Sequence, residues 1–163
     1  MKQANSDSLM DTLVTEWAQE CPDLDASAMA VVGRIMRLGQ RFENEATRAL
    51  KPLGIAYTDF DILATLRRSG SPYTLTPGQL ADAVLLTSGA MTAALERLEK
   101  AGLISRHTST TDRRSKAARL TNAGKKLAKN AAAARFDIAT QAVASLPARS
   151  HHQLIALLDK LGD

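Results

Sequence analysis

Two helix-start signals stand close together near the middle of the chain and restrict what it can fold into. The segment Thr76–Gln79 offers a threonine cap, a proline at the first helical position and a glutamine at the third. This helix is expected to end near Val84, and the next begins at Thr87 or Ser88 and stops at Gly102. Two short helices joined by about three residues predict a helix-turn-helix.

The residues that follow this helix pair predict a hairpin. Leu103–His107 and Ala117–Leu120 are typical of short strands, and the polar, basic residues between them form its tip. A hairpin directly after the second helix is a wing, so a winged helix-turn-helix is expected over residues 58–121. Its first helix is expected to be capped by Thr58, with Asp61 as the reciprocal capping partner.

Amphipathic helices flank this module on both sides. We expect one helix over residues 7–20, and longer helical segments over 26–53 and 122–161, with apolar residues at spacings of three and four. The module alone cannot cover these apolar stripes, which therefore predict a second copy of the chain as a partner, giving a homodimer. The expected fold is mainly α (α+β), with residues 1–163 in a single domain.

Composition narrows the class of protein. The chain has 163 residues, of which 45% are hydrophobic and 23% charged, as in an ordinary globular domain. No apolar run approaches the ~20 residues of a membrane span, and the first residues lack the apolar core of a signal peptide. With Cys21 as the single cysteine, no intrachain disulfide is expected. A cytoplasmic protein without a membrane partner is predicted.

The charge is unevenly distributed along the chain. Residues 1–32 hold one base and six acids, whereas residues 96–129 hold ten bases and three acids. A basic centre indicates a segment that binds a polyanion such as nucleic acid. Taken alone, such a run is also compatible with a solvated face, or with a module that binds protein. Binding through phosphate contacts would fall steeply with salt, and protein docking need not.

The residues that commonly carry catalysis or bind metal form no recognisable pattern. His151 and His152 are adjacent, so on a helix they point about 100° apart, and His107 stands alone in a strand. There is no nucleophile–base pair and no glycine-rich phosphate loop. We therefore expect no enzyme activity, no bound metal and no cofactor.

Five short motifs resemble those of the MarR family of bacterial transcription regulators: Leu80–Ala83, Ser88–Thr92, Leu98–Ile104, Asp112–Arg114 and Leu120–Gly124. Trp17 with the following segment 21–25, and the runs 60–68 and 71–77, resemble the urate-responsive, PecS-type branch, which has an extra N-terminal helix. The resemblance implies a homodimeric repressor of the bacterial cytoplasm that joins the nucleoid when bound to a pseudo-palindromic operator, and that a small ligand releases.

The resemblance also implies which residues contact double-stranded DNA. The second helix of the pair would enter the major groove, and the wing would enter the minor groove. The implied DNA-binding residues are Thr87, Ser88, Gly89, Ala90, Thr92 and Ala93 in the helix, with Asp112, Arg113, Arg114 and Lys116 in the wing. Asp112 would brace the wing while Arg114 enters the groove. In a simpler interpretation, Arg113 and Arg114 are solvated tip residues. Met91 either contacts thymine methyl groups or belongs to the core.

A ligand site is implied at Trp17, Asp61 and Arg106. The urate-responsive branch has an arginine where this chain has Ala94, so one cation is missing. The expected effector is therefore a small aromatic or anionic molecule, either urate or a less charged compound such as a phenolic acid. Simpler interpretations stand beside this one: Asp61 as a helix cap, Trp17 as an interfacial core aromatic, and Arg106 as a phosphate contact.

Cys21 provides an alternative sensor. Some MarR proteins respond to oxidants through one reactive cysteine inside the long dimer helix. Here Cys21 precedes that helix, beside Pro22 and acidic residues that disfavour a thiolate. The alternative function is thus a repressor that senses oxidants through Cys21.

Replacing Arg114 tests the wing assignment. If its side chain enters the minor groove, Arg114→Ala weakens binding to all DNA sequences, and the slope of log affinity against log salt falls by about one. Fluorescence anisotropy of a labelled duplex over a series of salt concentrations measures both quantities. A variant that binds DNA like the parent protein would show that the wing assignment is wrong.

Overall fold

The computed structural model describes residues 4–84, 86–108 and 116–162. The elements follow in the order α1 (Ala4–Glu20), α2 (Ser27–Leu50), a 3-10 turn (Lys51–Leu53), α3 (Tyr57–Arg68), β1 (Thr74–Leu75), α4 (Pro77–Val84), α5 (Ser88–Lys100), β2 (Ile104–Thr108), β3 (Lys116–Leu120), α6 (Asn122–Val143) and α7 (Ala148–Gly162). This order confirms the expected mainly α fold with a winged helix-turn-helix. In the described ranges, no helix is long and apolar enough to cross a membrane.

The chain divides into two compact units, Met1–Glu45 and Ala46–Asp163. In the first unit, α1 packs on α2 where Gly33 faces Met10, and a Cβ on that glycine would lie 2.7 Å from the Met10 sulfur. An ion pair of 2.6 Å between Asp11 and Arg34 joins the same two helices. The second unit contains α3 to α7 and the sheet.

The core of the second unit is aliphatic. Side chains from α3, α4, α5, the sheet and α6 meet in one cluster: Ile62, Leu63, Leu66, Leu80, Met91, Ala94, Leu95, Leu98, Ile104, Ala118, Leu120 and Ala128. A smaller cluster joins Leu50, at the end of α2, to Phe60 and Ala131. Burial of these residues supplies most of the favourable free energy of folding in such a domain.

The helix-turn-helix forms where its start signals predict. The Thr76 backbone N–H donates to Gln79 Oε1 at 2.9 Å, and the Gln79 backbone N–H donates to Thr76 Oγ1 at 3.3 Å. This reciprocal pair confirms the predicted capping box at the start of α4. Thr87 is the N-cap of α5, and its side chain accepts from the Ala90 backbone N–H at 3.3 Å.

The wing strands β2 and β3 pair antiparallel, with Ile104 opposite Leu120 and His107 opposite Ala117. A third strand, β1, pairs with the other edge of β3 through Thr74 opposite Arg119. No sequence pattern predicts β1, because a strand of two residues is too short to show an alternation of apolar and polar residues.

The start of α3 differs from the prediction. The helix begins at Tyr57, and its N-cap is Ala56, which makes no side-chain capping hydrogen bond. Thr58 therefore lies inside the first turn, and the predicted capping box between Thr58 and Asp61 is wrong. The third helical position is occupied by Asp59, whose carboxylate is engaged by α5 and not by the helix start.

A buried carboxylate joins α3 to α5. Arg97 Nε lies 3.2 and 3.1 Å from the two Asp59 oxygens, and its Nη2 donates to Oδ1 at 2.6 Å. Asp59 is 5% exposed, whereas the Arg97 side chain is 52% exposed. The hydrogen bond to Asp59 raises the pKa of Arg97. No local pattern predicts this pair, because 38 positions separate the two residues along the chain.

The start of α6 is held against the end of α5 by a close backbone contact. Thr121 Oγ1 accepts from the Gly124 N–H at 3.0 Å, which caps α6, and donates to the Gly102 carbonyl oxygen at 2.8 Å. A Cβ on Gly124 would lie 2.0 Å from the Leu103 carbonyl oxygen. Glycine is therefore required here for close approach between backbones.

Substituting Gly124 should lower the free energy of unfolding of the second unit. Gly124→Ala forces the Leu103 backbone to move, and we expect a loss of about 3 kcal/mol in the free energy of unfolding. Urea denaturation followed by circular dichroism measures it. Gly78→Ala is the matched control, because the nearest atom to a Cβ there is 4.0 Å away. Equal stabilities of the two variants would contradict the proposed close approach.

Removing one partner of the α3–α5 ion pair should be costly because the other is buried. Arg97→Met leaves the Asp59 carboxylate without its cation, and we expect a loss of about 2 kcal/mol, reduced from the fully buried case because Arg97 is half-exposed. Adding Asp59→Asn should recover part of the loss by removing the isolated charge. Urea denaturation of both variants tests this, and a double variant that shows no recovery would contradict it.

Candidate DNA interface and ligand cavity

Helix α5 has one buried and one exposed side. Met91, Ala94, Leu95 and Leu98 are buried in the core, each 2% exposed or less, so Met91 is a core residue. The DNA-contacting residues predicted for this helix and its cap are exposed: Thr87, Ser88, Gly89, Ala90, Thr92 and Ala93. Their small side chains leave the first two turns of the helix accessible to a bulky surface.

The N-terminal end of α5 is suited to an anion. The first turn of a helix has backbone N–H groups without helical partners and carries the positive end of the helix dipole. No acidic residue lies in the first turn of α5, so no side chain there repels a phosphate. Hydroxyls of Thr87 and Ser88 stand at the same end, and Thr92 Oγ1 donates to the Ser88 carbonyl oxygen at 3.0 Å.

The wing is described only along its strands. Lys116, at the start of β3, and Arg119 are exposed. The predicted wing residues Asp112, Arg113 and Arg114 lie outside the described residues. Arg106 in β2 is half-buried, and its Nε is buried without a hydrogen-bond partner in the described ranges.

A cavity of about 610 Å³ opens between α3, α4 and α6. Its apolar wall consists of Phe60, Ala64, Ala83, Val84, Ala128, Ala132 and Phe136, and its polar wall of Asp61, Thr65, Arg67 and Arg68. A concave, mostly apolar space with a few polar groups is typical of small-molecule sites.

Asp61 belongs to this cavity and not to a helix cap. Its side chain lines the space and is half-buried. Burial raises the pKa of the Asp61 carboxyl group, and the positive charges of Arg135 and Arg68 oppose that rise. A carboxyl group in such surroundings can accept a hydrogen bond from a ligand, and when protonated it can donate one.

The three predicted ligand residues have different positions. Asp61 lines the cavity, whereas Arg106 is not among the lining residues. Trp17 belongs to the first compact unit, where it lies on α1 and is 55% exposed. Ala94, where the urate-responsive branch has arginine, is buried in the core of the second unit.

Two polar residues of the cavity, Arg67 and Arg68, are not among the predicted ligand residues. Arg67 Nη1 donates to the Lys125 carbonyl oxygen at 3.1 Å and so ties α3 to α6. Arg68 Nη2 donates to Thr65 Oγ1 at 3.1 Å. The spacing of Asp61, Thr65 and Arg68 in the sequence indicates that they share one face of a helix, because residues i, i+4 and i+7 lie on the same side. Among the residues that the structure describes, no group of three His, Cys, Asp or Glu could hold a metal ion.

Comparison with known proteins places these features in a family. The MarR family model matches residues 55–116. The HTH-type transcriptional regulator PecS of Dickeya dadantii is 37% identical over 112 residues, which cover 69% of this chain and 68% of PecS.

Solved structures give the same result. One is the MarR family protein Rv2887 of Mycobacterium tuberculosis in complex with p-aminosalicylic acid, which is 32% identical to this chain and has a TM-score of 0.62. The match covers 79% of this chain and 95% of the Rv2887 chain. A mutant MarR from E. coli complexed with operator DNA has a TM-score of 0.71 at 23% identity, over 89% of this chain and 96% of that one. At 23% identity, the similarity to the E. coli structure shows the fold alone. The identity to PecS over two thirds of both chains shows that this chain belongs to the MarR family of transcriptional regulators.

Proposed function

We propose that this protein is a ligand-responsive transcriptional repressor. It binds a pseudo-palindromic operator as a homodimer and is released by a small aromatic or anionic molecule. Residues 58–121 form the DNA-binding module of a single domain, residues 26–53 and 122–161 the dimerisation helices, and residues 7–20 the extra N-terminal helix. The observation that carries the proposal is the exposed row of small residues on α5.

The shape and charge of α5 support DNA binding. Residues that fill the core fix the helix, and Ser88, Gly89, Ala90, Thr92 and Ala93 are left on its outer side. This row has no arginine, asparagine or glutamine, so direct readout by bidentate hydrogen bonds is absent there. Sequence preference then comes from contacts to thymine methyl groups and from DNA shape. Phosphate contacts come from the helix start and from Lys116, Arg113 and Arg114 in the wing.

Exposed apolar side chains support a homodimer. On α7, Leu154, Ile155, Leu157, Leu158 and Leu161 are between 42% and 64% exposed. On α2, Val31, Val32, Ile35, Met36 and Leu38 are between 39% and 68% exposed. Apolar stripes of this size cost free energy in water and are covered when a second copy packs against them. A two-fold dimer presents two copies of α5, which matches an operator with two half-sites.

A ligand can release the protein from DNA only if it binds one conformation of the dimer more tightly than the other. A molecule in the cavity contacts α3, which carries both Asp61 and the Asp59 that holds Arg97 of α5. Binding that favours one position of α3 shifts the population of dimers toward a spacing of the two α5 helices that does not fit consecutive major grooves. A ligand with equal affinity for both states would release nothing. Trp17 and Arg106 stay part of the proposed ligand site.

The alternative sensor is Cys21, a free, half-buried thiol between α1 and α2. It is tested by exposing the protein–DNA complex to hydrogen peroxide and repeating the titration with Cys21→Ser. Release that depends on the thiol would favour the oxidant-sensing repressor over the aromatic ligand.

A single acidic substitution tests the role of α5. Ala93→Asp places a negative charge on the exposed side of the helix, where it would repel the phosphates, and we expect at least a tenfold loss of affinity for DNA. Fluorescence anisotropy with a duplex from the gene's own upstream region and a scrambled duplex measures affinity and specificity at physiological salt. Ala18→Asp, at an exposed position of α1, is the control and should bind like wild type. If both variants bind equally well, α5 does not face DNA.

A further inference from the structure

A row of positive side chains continues beyond the wing into α6. Residues 116–129 hold five bases and no acid. Within the described part of the chain, none of these five side chains forms an ion pair. Four of them lie outside the DNA contacts proposed above, and we call these four the basic row: Arg119, Lys125, Lys126 and Lys129. A charged surface that the protein does not neutralise itself favours an anionic partner.

Arg119 stands on the outer face of the sheet. It is exposed on the central strand, opposite Thr74 of β1 on one side and Ser105 of β2 on the other. Residues directly opposite each other in an antiparallel sheet point to the same face, so short uncharged side chains lie on both sides of the guanidinium. Arg119 is three residues beyond Lys116, which is about 10 Å along the strand. It therefore extends the positive surface from the start of β3 toward α6.

The three lysines of the basic row lie close together at the start of α6. Lys126 and Lys129 are exposed, and Lys125 is half-buried. Positions three and four apart are neighbours on the surface of a helix, so Lys129 is adjacent to both of the others. Like charges at this spacing destabilise a helix when no anion lies near them. The spacing therefore indicates a surface that binds anions and not one that stabilises the fold.

Contacts with neighbouring segments hold this end of α6 in place. The Lys125 ammonium group lies 4.8 Å from the centre of the Tyr73 ring, and the Lys125 carbonyl oxygen accepts from Arg67 Nη1 at 3.1 Å. Gly124 packs against the Leu103 backbone. The lysines are therefore presented from a fixed backbone, which reduces the conformational entropy lost when they bind.

We propose that the basic row binds the phosphates of DNA that flanks the operator, outside its two half-sites. This inference rests on the proposed DNA-binding function and extends the length of DNA that the protein contacts. DNA is favoured over an acidic protein because the row is continuous with the proposed wing contact at Lys116. A duplex carries one phosphate charge about every 1.7 Å, so DNA that passes the wing presents several charges to the row. Such contacts add affinity without adding sequence preference.

Two duplexes with the same centre test the proposal by fluorescence anisotropy. The short one, about 20 base pairs from the gene's own upstream region, covers both half-sites, and the long one adds about ten base pairs at each end. Wild type should bind the long duplex at least tenfold more tightly at about 50 mM salt. If each protomer binds one flanking phosphate, this gain should almost vanish at about 200 mM salt.

A long duplex with uncharged methylphosphonate linkages in its flanks is the control for length. It keeps the length and the sequence of the long duplex but removes the flanking charges. It should therefore bind like the short duplex.

The variant Lys126→Gln/Lys129→Gln removes the two exposed charges of the row that lie outside the wing. It should bind the short duplex like wild type and lose most of the gain on the long one. Arg48→Gln/Lys51→Gln is the matched control, because it removes the same charge at two exposed positions in another part of the chain. This control should keep the gain.

The proposal is wrong if wild type binds both duplexes equally, if the uncharged flanks keep the gain, or if the lysine variant keeps it. An acidic protein surface would then be the candidate partner of the basic row. A lysine variant that weakens both duplexes equally would also contradict the proposal, because the lysines would then serve the operator itself or the fold. Thermal melting of that variant separates these two cases.

The same titrations judge the proposed function separately. Specific binding of wild type to the short duplex leaves the repressor function intact, whatever the flanks contribute. If wild type binds neither duplex, the DNA-binding function fails, and the inference about the basic row fails with it.

Discussion

The burial of one side of α5 is the constraint on which the other features depend. Met91, Ala94, Leu95 and Leu98 are in the core, so the helix cannot rotate without exposing them, at a cost of several kcal/mol. The Asp59–Arg97 pair adds a directional contact to α3. With this side fixed, the row of small residues in the first turns of the helix stays exposed, and that row is the surface that we propose contacts DNA.

Helix α3 contacts the hydrophobic core, the ligand cavity and helix α5, and so connects the three parts of the proposed mechanism. One side of it packs in the core through Ile62, Leu63 and Leu66, and Asp59 holds Arg97 of α5. A further side, from Asp61 to Arg68, lines the cavity. A rigid helix that contacts both a ligand and the recognition helix can transmit a small displacement, because packed interfaces change between discrete arrangements.

Local signals were enough to predict much of the fold. The capping pairs at Thr76 and Thr87 and the glycine stop at Gly102 act within a few residues, so α4 and α5 formed as predicted. The start of α3 was predicted wrongly because Thr58 and Asp61 fit a capping pattern locally, while tertiary packing placed the helix start at Tyr57. The ion pair of Asp59 with Arg97 and the cavity bring together residues far apart in sequence, which no local pattern reveals. The wing residues Asp112, Arg113 and Arg114 stay predictions.

Release of DNA by a ligand is the central claim, and one measurement tests it most directly. Fluorescence anisotropy follows a labelled duplex from the gene's own upstream region as p-aminosalicylic acid or urate is added to the preformed complex. A scrambled duplex serves as the reference for specificity. We expect preferential binding to the upstream duplex and a fall in anisotropy at ligand concentrations that saturate the cavity. Equal binding to both duplexes, or a complex that stays intact while calorimetry shows the cavity to be filled, would contradict it.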